Sequence, residues 1–307
     1  MRIKTTDTTP AHRLALTIEA HVKRSLGFAR RRIAYRKLER QNMESTMPIV
    51  APGGPIVSVT TYGKRLMTAH YALECIAAGE QLPSRLVLWI EHDLLAHGLP
   101  DTLKRLIARG LEVRGTEDLG PHKKYLPQVI SDPCPSVPLV TADDDQLYPR
   151  HWLRTLVESA DELPELIHCF RAHRIGFRPD GQLVPYRRWE HCMTRRPSHL
   201  NFATGCGGVI YPIRMQSVLA KLGTAFSDCC PRADDIWLKA VALRERIMVR
   251  QVVPAHARND DLRETRGQSG LAHYNISGGG NDIQLAATFT QDDLAFLREC
   301  VASESAA

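Results

Sequence analysis

Short apolar runs alternate with segments of helical periodicity through the first half of the chain. The runs are rich in Val and Ile, which is typical of buried strands. The predicted strands and the helices between them cover residues 56–61, 66–78, 85–90, 100–109, 111–114 and 137–141. Strands that alternate with helices predict an α/β fold with a mainly parallel central sheet and helices on both faces.

The second half of the chain has a less regular pattern. Its predicted strands are residues 167–171, 208–211 and 247–252, and its predicted helices are residues 231–243 and 291–301. The glycine-rich stretch at residues 277–282 predicts a flexible loop before the last helix. No internal repeat is visible, so a solenoid or propeller is not expected.

The N-terminal segment is basic, and residues 11–41 favour a helix. Apolar residues recur there at helical spacing, at Leu14, Ile18, Val22 and Leu26. Residues 1–49 contain eleven Lys and Arg against four acids, so they carry the whole excess positive charge of the chain. Three interpretations stay open: a helix on an anionic membrane surface, a helix docked on the catalytic domain, or a solvated basic linker. Nucleic-acid binding is not expected, because aromatic residues do not alternate with the basic ones as in a stacking platform.

Amino-acid composition, the length of apolar stretches and cysteine spacing restrict the classes of protein that the sequence can encode. The chain has 307 residues, of which 43% are apolar and 24% charged, as in ordinary globular proteins. No apolar stretch approaches the ~18 residues of a spanning helix, and no signal peptide is recognised. We therefore expect a cytoplasmic protein, with a peripheral contact to the inner face of the membrane if residues 11–41 bind lipid. The eight cysteines lack paired CxxC spacing, which argues against a zinc ribbon.

A Pro- and Gly-rich break at residues 51–55 separates the basic segment from the rest of the chain. We predict three parts: a helical extension and linker at residues 1–54, a globular domain at residues 55–290, and a C-terminal helix and tail at residues 291–307.

Three consecutive carboxylates, Asp143, Asp144 and Asp145, follow the predicted strand at residues 137–141. Clustered carboxylates repel one another unless a cation neutralises them. Mg²⁺ and Mn²⁺ take oxygen ligands and bridge protein carboxylates to substrate phosphates. Alternate positions of an extended segment face the same side, so Asp143 and Asp145 are the candidate ligands. A run at this place in a parallel sheet predicts a metal and phosphate site, with a solvated turn or helix cap as the alternative.

Three other blocks carry candidate chemistry. Lys123 and Lys124 follow a Gly-Pro turn, where they could contact a diphosphate or form an exposed basic loop. Asp234 and Asp235 open a predicted helix, so one can cap it while the other serves as a general base. The glycines of residues 201–212 permit close backbone approach to a ligand. No Lys-Ser or Lys-Thr follows them, which excludes a P-loop.

Taken together and in this order, these blocks resemble GT-A glycosyltransferases of the nucleotide-diphospho-sugar transferase superfamily. The closer resemblance is to family 2-like enzymes of bacterial surface-polysaccharide gene clusters, over about residues 55–290. Asp143–Asp145 match the DXD position, and residues 60–65 look like the nucleotide-binding opening. Asp234 and Asp235 look like the acidic pair whose second member is the base in inverting members, although many members have Glu-Asp there.

The resemblance implies transfer of a sugar from a nucleotide-sugar donor to a saccharide or lipid-linked acceptor, with inversion favoured over retention and Mn²⁺ or Mg²⁺ required. The implied catalytic residues are Asp235 and Asp234, and the implied metal ligands are Asp143, Asp145 and His256, with His273 as second choice to His256. The implied donor side comprises Thr60, Thr61, Tyr62, Lys64, Glu91, Lys123, Lys124, Asp143 and Asp144. The implied acceptor side comprises Arg171, His173, Arg174, Trp189 and Gly207.

Other functions remain as alternatives. A nucleotidyltransferase usually needs a glycine-rich basic segment near the first strand, and residues 60–65 contain one glycine. A metal-dependent phosphohydrolase would need more acids or histidines near that strand. A basic adaptor that binds membrane or nucleic acid through residues 1–49 would give neither Asp cluster a function.

Overall fold

The computed structural model describes residues 31–254, 260–261 and 273–305. The chain divides into two compact units, residues 1–45 and 46–307. The described part of the first unit is a helix, α1, at residues 31–44. The apolar stripe predicted from Leu14 to Leu26 lies outside the described residues. Within the described ranges, no helix combines the length and the apolar character needed to cross a membrane.

The second unit is built on strands and helices that alternate in its first half. The strands are β1 (Ile56–Thr60), β2 (Arg85–Glu91), β3 (Leu111–Thr116), β4 (Leu139–Asp143), β5 (Gln146–Leu147), β6 (Ile167–Cys169), β7 (Ala172–Arg174), β8 (Glu190–His191), β9 (Asn201–Ala203), β10 (Val209–Tyr211), β11 (Val249–Gln251) and β12 (Asp260–Asp261). The helices after α1 are α2 (Ala69–Ala77), α3 (His92–Ala96), α4 (Asp101–Ile107), α5 (Leu126–Ser131), α6 (Trp152–Glu162), α7 (Ile213–Leu222), α8 (Asp234–Arg244), α9 (Gly280–Thr288) and α10 (Gln291–Ser305). Short 3₁₀ helices at Gly63–Met67, Gly120–Lys124 and Tyr186–Arg188 and a π-helix at His273–Ser277 connect them.

A seven-stranded sheet in the order β11-β6-β10-β4-β1-β2-β3 forms the centre of this unit. Strand β10 runs antiparallel to β4 and β6, and the other neighbours pair in parallel. The predicted α/β fold with a mainly parallel sheet is therefore confirmed. Two smaller antiparallel sheets, β8-β7-β9 and β12-β5, are additions that the sequence pattern did not predict.

The central strands β1, β2, β4 and β10 are apolar at most positions because both faces of the sheet are covered. In β2, Val87 and Trp89 belong to one buried cluster, which also contains residues of α8. Leu86 and Leu88 belong to a second cluster on the other face, together with residues of α2 and α4. The alternation of strand side chains between faces is therefore present, but both sets are apolar.

The register brings three strand ends to one edge of the sheet. Thr60 at the end of β1 lies opposite Trp89 of β2 and opposite Asp143 of β4. Because these strands are parallel, the residues that follow them, including the acidic run, meet at the same edge. Ligands of open parallel sheets bind at this kind of edge.

The prediction of a flexible loop at residues 277–282 is wrong, because α9 begins within this segment at Gly280. Gly279, with φ of 73°, adopts the left-handed conformation at the helix N-cap. A Cβ on Gly280 would lie 2.6 Å from the ring of Tyr274, so this glycine allows close packing. Helices α6 and α7 were also not predicted.

The segment before Pro55, predicted as part of a linker, is packed in the second unit. Ile49 is fully buried, and its N–H donates to the carbonyl of Arg109 at 3.0 Å. The N–H of Ala51 donates to the carbonyl of Pro83 at 2.9 Å. This stretch therefore begins the α/β unit.

Candidate active site

The three carboxylates of the acidic run all pair with basic side chains but line different cavities. Buried Asp144 accepts hydrogen bonds from the Thr61 hydroxyl at 2.6 Å and from Arg65 at 3.0 Å. Arg65 also pairs with Asp145 at 2.9 Å. Asp143 and Asp145 both border a cavity of about 300 Å³. Thr61 was predicted to contact the nucleotide-sugar donor. Its hydroxyl is instead hydrogen-bonded to Asp144 of the acidic run.

Lys124 lies between the two acidic clusters. Its ammonium is 2.9 Å from Asp143 and 3.5 Å from Asp234. Burial acts to lower the pKa of Lys124, but the charges of Asp143, Asp234 and Asp235 outweigh it and hold the pKa well above its ordinary value. Lys124 therefore stays protonated and neutralises carboxylates from β4 and α8 at one point.

Asp235 is fixed by a backbone donor. The N–H of Gly205 donates to its Oδ1 at 2.9 Å. Burial, and after it the negative charge of Asp234, raises the pKa of Asp235 to about 7. Because a general base works best when its pKa lies near the working pH, this carboxyl has the properties of one.

Gly205 is the residue that allows Lys124 and Asp235 to approach each other. A Cβ at this position would lie 3.0 Å from the Lys124 nitrogen and 3.1 Å from Asp235 Oδ1. Further along the same loop, Gly208 has φ of 94°, and a Cβ there would lie 2.5 Å from the ring of Trp152. The glycines expected to permit close backbone approach therefore make room for protein side chains.

Helix α8 presents Asp235 from a rigid position. Asp234 and Asp235 occupy its first turn, where the helix dipole favours negative charge. One turn further along, buried Lys239 donates to the carbonyls of His199 and Asn201. Burial lowers the pKa of Lys239 to about 7. These bonds tie α8 to the segment that enters β9.

Two neighbouring cavities meet at Lys124. The first, here called the strand-end cavity, has a volume of about 420 Å³ and includes Thr60, Glu91 and Lys123 in its lining. The second, the base-side cavity, is the 300 Å³ space that contains Asp145 and Asp235. The residues that line both are Tyr62, Arg65, Pro121, Lys124, Asp143 and Arg232.

The strand-end cavity is lined by charged and aromatic side chains. Lys123 bonds to Glu91 and lies 2.9 Å from Asp118. The hydrogen bond from Lys123 lowers the pKa of Asp118. Lys123 therefore holds two carboxylates in place at the ends of β2 and β3. Tyr274 also lines this cavity, with the Arg232 guanidinium 4.9 Å from its ring centroid.

Several residues predicted for the site lie away from both cavities. Lys64 is exposed on the 3₁₀ helix and lines neither of them. Trp189 is buried, and its indole N–H donates to the Val184 carbonyl at 2.8 Å. Arg174 pairs with Glu304 at 2.6 Å.

The remaining acceptor-side predictions divide similarly. His173 packs against the rings of Tyr186 and His191, and the Gly207 carbonyl accepts a hydrogen bond from Trp152 at 2.7 Å. Arg171 does border the base-side cavity. His256 and the side chain of His273 lie outside the part of the chain that the structure describes.

Sequence reasoning included Arg65 only as part of the opening at residues 60–65, and it missed Arg232 and Tyr186 as cavity residues. Arg65 belongs to the segment after β1, and Arg232 precedes Asp235 by three positions. Their proximity to the two predicted acidic blocks was the available signal. Tyr186 lies in an irregular segment that offered none.

Asp143 and Asp145 fit a divalent cation. Burial, followed by the negative charge of Asp143, raises the pKa of Asp145 to about 6, and a cation between the two carboxylates would relieve that repulsion. Among residues 31–254, 260–261 and 273–305, no three His, Cys, Asp or Glu side chains form a complete metal site. A divalent cation held by these two carboxylates would need further oxygen ligands from outside the protein.

No protein-family profile matches the chain, and no curated protein does. Solved structures that it resembles include S. aureus TarS 1–349 in complex with UDP-GlcNAc, with a TM-score of 0.47 at 16% identity over 78% of this chain and 69% of that one. Another is CMP:2-keto-3-deoxy-manno-octonic acid synthetase complexed with CTP, with a TM-score of 0.41 at 12% identity over 69% of this chain and 94% of that one. At such identities, the activity of this chain has to come from its own residues.

Proposed function

We propose that this protein is a metal-dependent glycosyltransferase. It would move a sugar from a nucleotide-sugar donor to a hydroxyl of a saccharide or lipid-linked acceptor, with inversion, in the synthesis of cell-surface polysaccharide or glycolipid. The observation that supports this most is that Lys124 joins Asp143 at the end of β4 to Asp234 of α8, beside a further carboxyl, Asp235, whose pKa is about 7.

In this proposal the nucleoside occupies the strand-end cavity and the diphosphate lies beside Lys124. Lys124, Arg65 and Arg232 border both cavities, so their charges lie where the donor phosphates would pass between them. Mn²⁺ or Mg²⁺, held by Asp143 and Asp145, would act there as a Lewis acid toward the leaving diphosphate. Fixed cationic groups stabilise the negative charge that develops on a leaving group without reorganising.

Asp235 acts from the base-side cavity. The Gly205 N–H holds its Oδ1, and the carboxylate accepts the proton of the acceptor hydroxyl. As that proton moves, the hydroxyl oxygen forms a bond to the anomeric carbon while the bond from that carbon to the diphosphate oxygen breaks. Attack from the side opposite the leaving group gives inversion. Arg171 and Tyr186 line the same cavity and would contact the acceptor.

Asp235→Asn tests this assignment. Removal of a general base costs about 10²–10⁴-fold in turnover, so we expect transfer to collapse while the Kd of the nucleoside diphosphate stays unchanged. A screen of sugar nucleotides by thermal shift with Mn²⁺ present identifies the donor, because a ligand that binds the native state raises the Tm. Transfer is then followed by mass spectrometry, and affinity by calorimetry.

The control for this test is Asp161→Asn, which removes an exposed carboxylate on α6, away from both cavities. It should behave like the wild type. Normal transfer by Asp235→Asn would remove this residue from the role of base. Release of pyrophosphate from a nucleoside triphosphate would instead identify a nucleotidyltransferase.

The metal assignment is tested by Asp145→Asn. We expect the wild type to bind a nucleoside diphosphate more tightly with Mn²⁺ than with EDTA, and this difference to vanish in the variant, because one of the two cavity-facing carboxylates loses its charge. Calorimetry with and without Mn²⁺ measures both affinities. An equal effect of Mn²⁺ on the wild type and the variant would contradict the role of Asp145.

A further inference from the structure

A third cavity, here called the arginine cavity, lies outside the catalytic residues described above. It has a volume of about 340 Å³, and its lining includes Arg178, Arg187, Arg188 and Asp282. All three arginines are exposed. Three guanidinium groups against one carboxylate give the lining a net charge of +2.

The arginines of this cavity are not neutralised by the protein. Within the described ranges, none of the three forms an ion pair with a carboxylate, whereas ten of the twenty described arginines of the α/β unit do. Asp282 is engaged elsewhere, because its Oδ1 accepts the N–H of Tyr186 at 2.7 Å. Guanidinium groups without protein partners that surround a concave space are suited to bidentate bonds with an oxyanion.

The arginine cavity and the base-side cavity have lining segments in common. Ile276 lines both of them. The 3₁₀ helix Tyr186–Arg188 also joins them, because Tyr186 faces the base-side cavity while Arg187 and Arg188 face the arginine cavity. A molecule whose hydroxyl reaches Asp235 would therefore extend past Tyr186 toward the arginines.

We propose that the arginine cavity binds an anionic group, a phosphate or a carboxylate, of the acceptor. The acceptor is then an acidic or phosphorylated saccharide or polyol whose negative group lies apart from the hydroxyl that is glycosylated. This assignment rests on the proposed glycosyl transfer, which the Asp235→Asn experiment tests independently.

The test compares binding of glucose 6-phosphate, glucuronate and glucose to three proteins by calorimetry at low and high salt. The first protein is the wild type, and the second combines Arg178→Gln, Arg187→Gln and Arg188→Gln. The third is a charge-matched control with Lys104→Gln, Arg150→Gln and Lys221→Gln, which are exposed positions outside the three cavities. Any binding of the anions beside Lys124 is common to all three, so the difference between the two variants isolates the arginine cavity.

We expect the arginine variant to bind the anionic sugars roughly tenfold or more weakly than the control, because charge-assisted hydrogen bonds are about twice as strong as neutral ones. Glucose should bind poorly to all three proteins. A preference for glucose 6-phosphate would assign the site to phosphate, and one for glucuronate to carboxylate.

Equal affinity of both variants for the anions, with unchanged Tm, would overturn the proposal while leaving the proposed transfer intact. Wild-type affinity for glucose equal to that for the anions would also overturn it. The single variant Arg187→Gln provides a second measurement, for which we expect an intermediate loss.

Discussion

Gly205 lies beside two opposite charges at the centre of the candidate site. The atoms that an added methyl group would meet are the ends of two side chains, Lys124 Nζ at 3.0 Å and Asp235 Oδ1 at 3.1 Å. Side-chain ends can move aside at little cost in folding free energy, whereas the positions that the proposed reaction needs are lost. Gly205 is thus a residue whose small size matters for activity more than for stability.

We therefore expect Gly205→Ala to lower kcat by about 10²-fold, the scale of a misplaced reacting group. Its free energy of unfolding should change by less than about 1.5 kcal/mol, because the clash relieves itself by side-chain movement. Urea unfolding and a transfer assay measure the two effects. The matched control is Gly176→Ala, where a Cβ would meet Val184 at an ordinary 3.5 Å. Equal activity of the two variants would contradict the proposed arrangement.

The pKa of Asp235 sets a pH dependence. Because the carboxyl has a pKa of about 7 and must be ionised to accept a proton, kcat/KM should rise as the pH increases through about 7. The sign follows from the base role: below pH 7 the group is protonated and inactive. A pH–rate profile measures this rise. The residual activity of Asp235→Asn should lack it, and a profile that falls with increasing pH would contradict the assignment.

At the scale of elements, a buried ion pair connects α2 to the end of α4. Arg109 donates to Glu74 at 2.6 Å, and the two side chains are 5% and 0% exposed. Arg109 also donates to the Met47 carbonyl at 2.9 Å, which fixes the chain entering the α/β unit. An isolated buried carboxylate is costly, so the pair matters most when one partner is removed.

Arg109→Met should therefore lower the free energy of unfolding by about 3–5 kcal/mol. The double variant Arg109→Met/Glu74→Leu should recover part of this loss, because it leaves no buried charge unpaired. Chemical denaturation of the two variants and the wild type provides the comparison. If the single and double variants were equally unstable, the loss would come from packing or from the Met47 bond instead.

The main sheet was predictable at this scale because its strands are local apolar runs. Residues 85–90 and 111–114 were predicted as strands and correspond to β2 and β3, whose parallel pairing follows from the helices between strands. Helix α9 was not predictable in the same way, since Gly279 and Gly280 serve a left-handed N-cap and a close contact with Tyr274. The sequence alone does not distinguish a glycine in a flexible loop from a glycine in a tight packing contact.

The candidate site was predictable where its chemistry lies in short runs. Asp143, Asp145 and Asp235 stand in two such runs, and the structure brings both to the base-side cavity. Lys124 contacts both acidic runs, and Arg232 lines the same cavity. These positions depend on contacts between segments that are distant in sequence, so no local pattern predicts them. The prediction of Trp189 as a site residue failed for a different reason. A large aromatic ring with one N–H group suits a binding surface and a buried core equally well.

At the scale of the whole molecule, positive charge is concentrated in residues 1–49. Ile49 is fully buried within the α/β unit, so a truncation that spares that unit ends at residue 45. The membrane interpretation of residues 11–41 is therefore testable without cutting into the core of the second unit.

On that interpretation, deletion of residues 1–45 should abolish sedimentation with vesicles that contain anionic lipid, while binding of the sugar nucleotide persists. Attraction to anionic lipid falls with salt, so the binding of the full chain should weaken as ionic strength rises. Vesicles of neutral lipid provide the control. Undiminished vesicle binding by the truncated protein would reject the interpretation and leave the docked helix or solvated linker.

The meeting of two cavities at Lys124 has a consequence for the order of events in catalysis. Under the proposed function, the donor diphosphate competes with Asp143 and Asp234 for Lys124. A donor bound there would form part of the surface that the acceptor contacts. Substrates would then add in a compulsory sequence, donor first, and the nucleoside diphosphate would depart last. Steady-state product inhibition should accordingly be competitive between nucleoside diphosphate and donor, and noncompetitive against the acceptor.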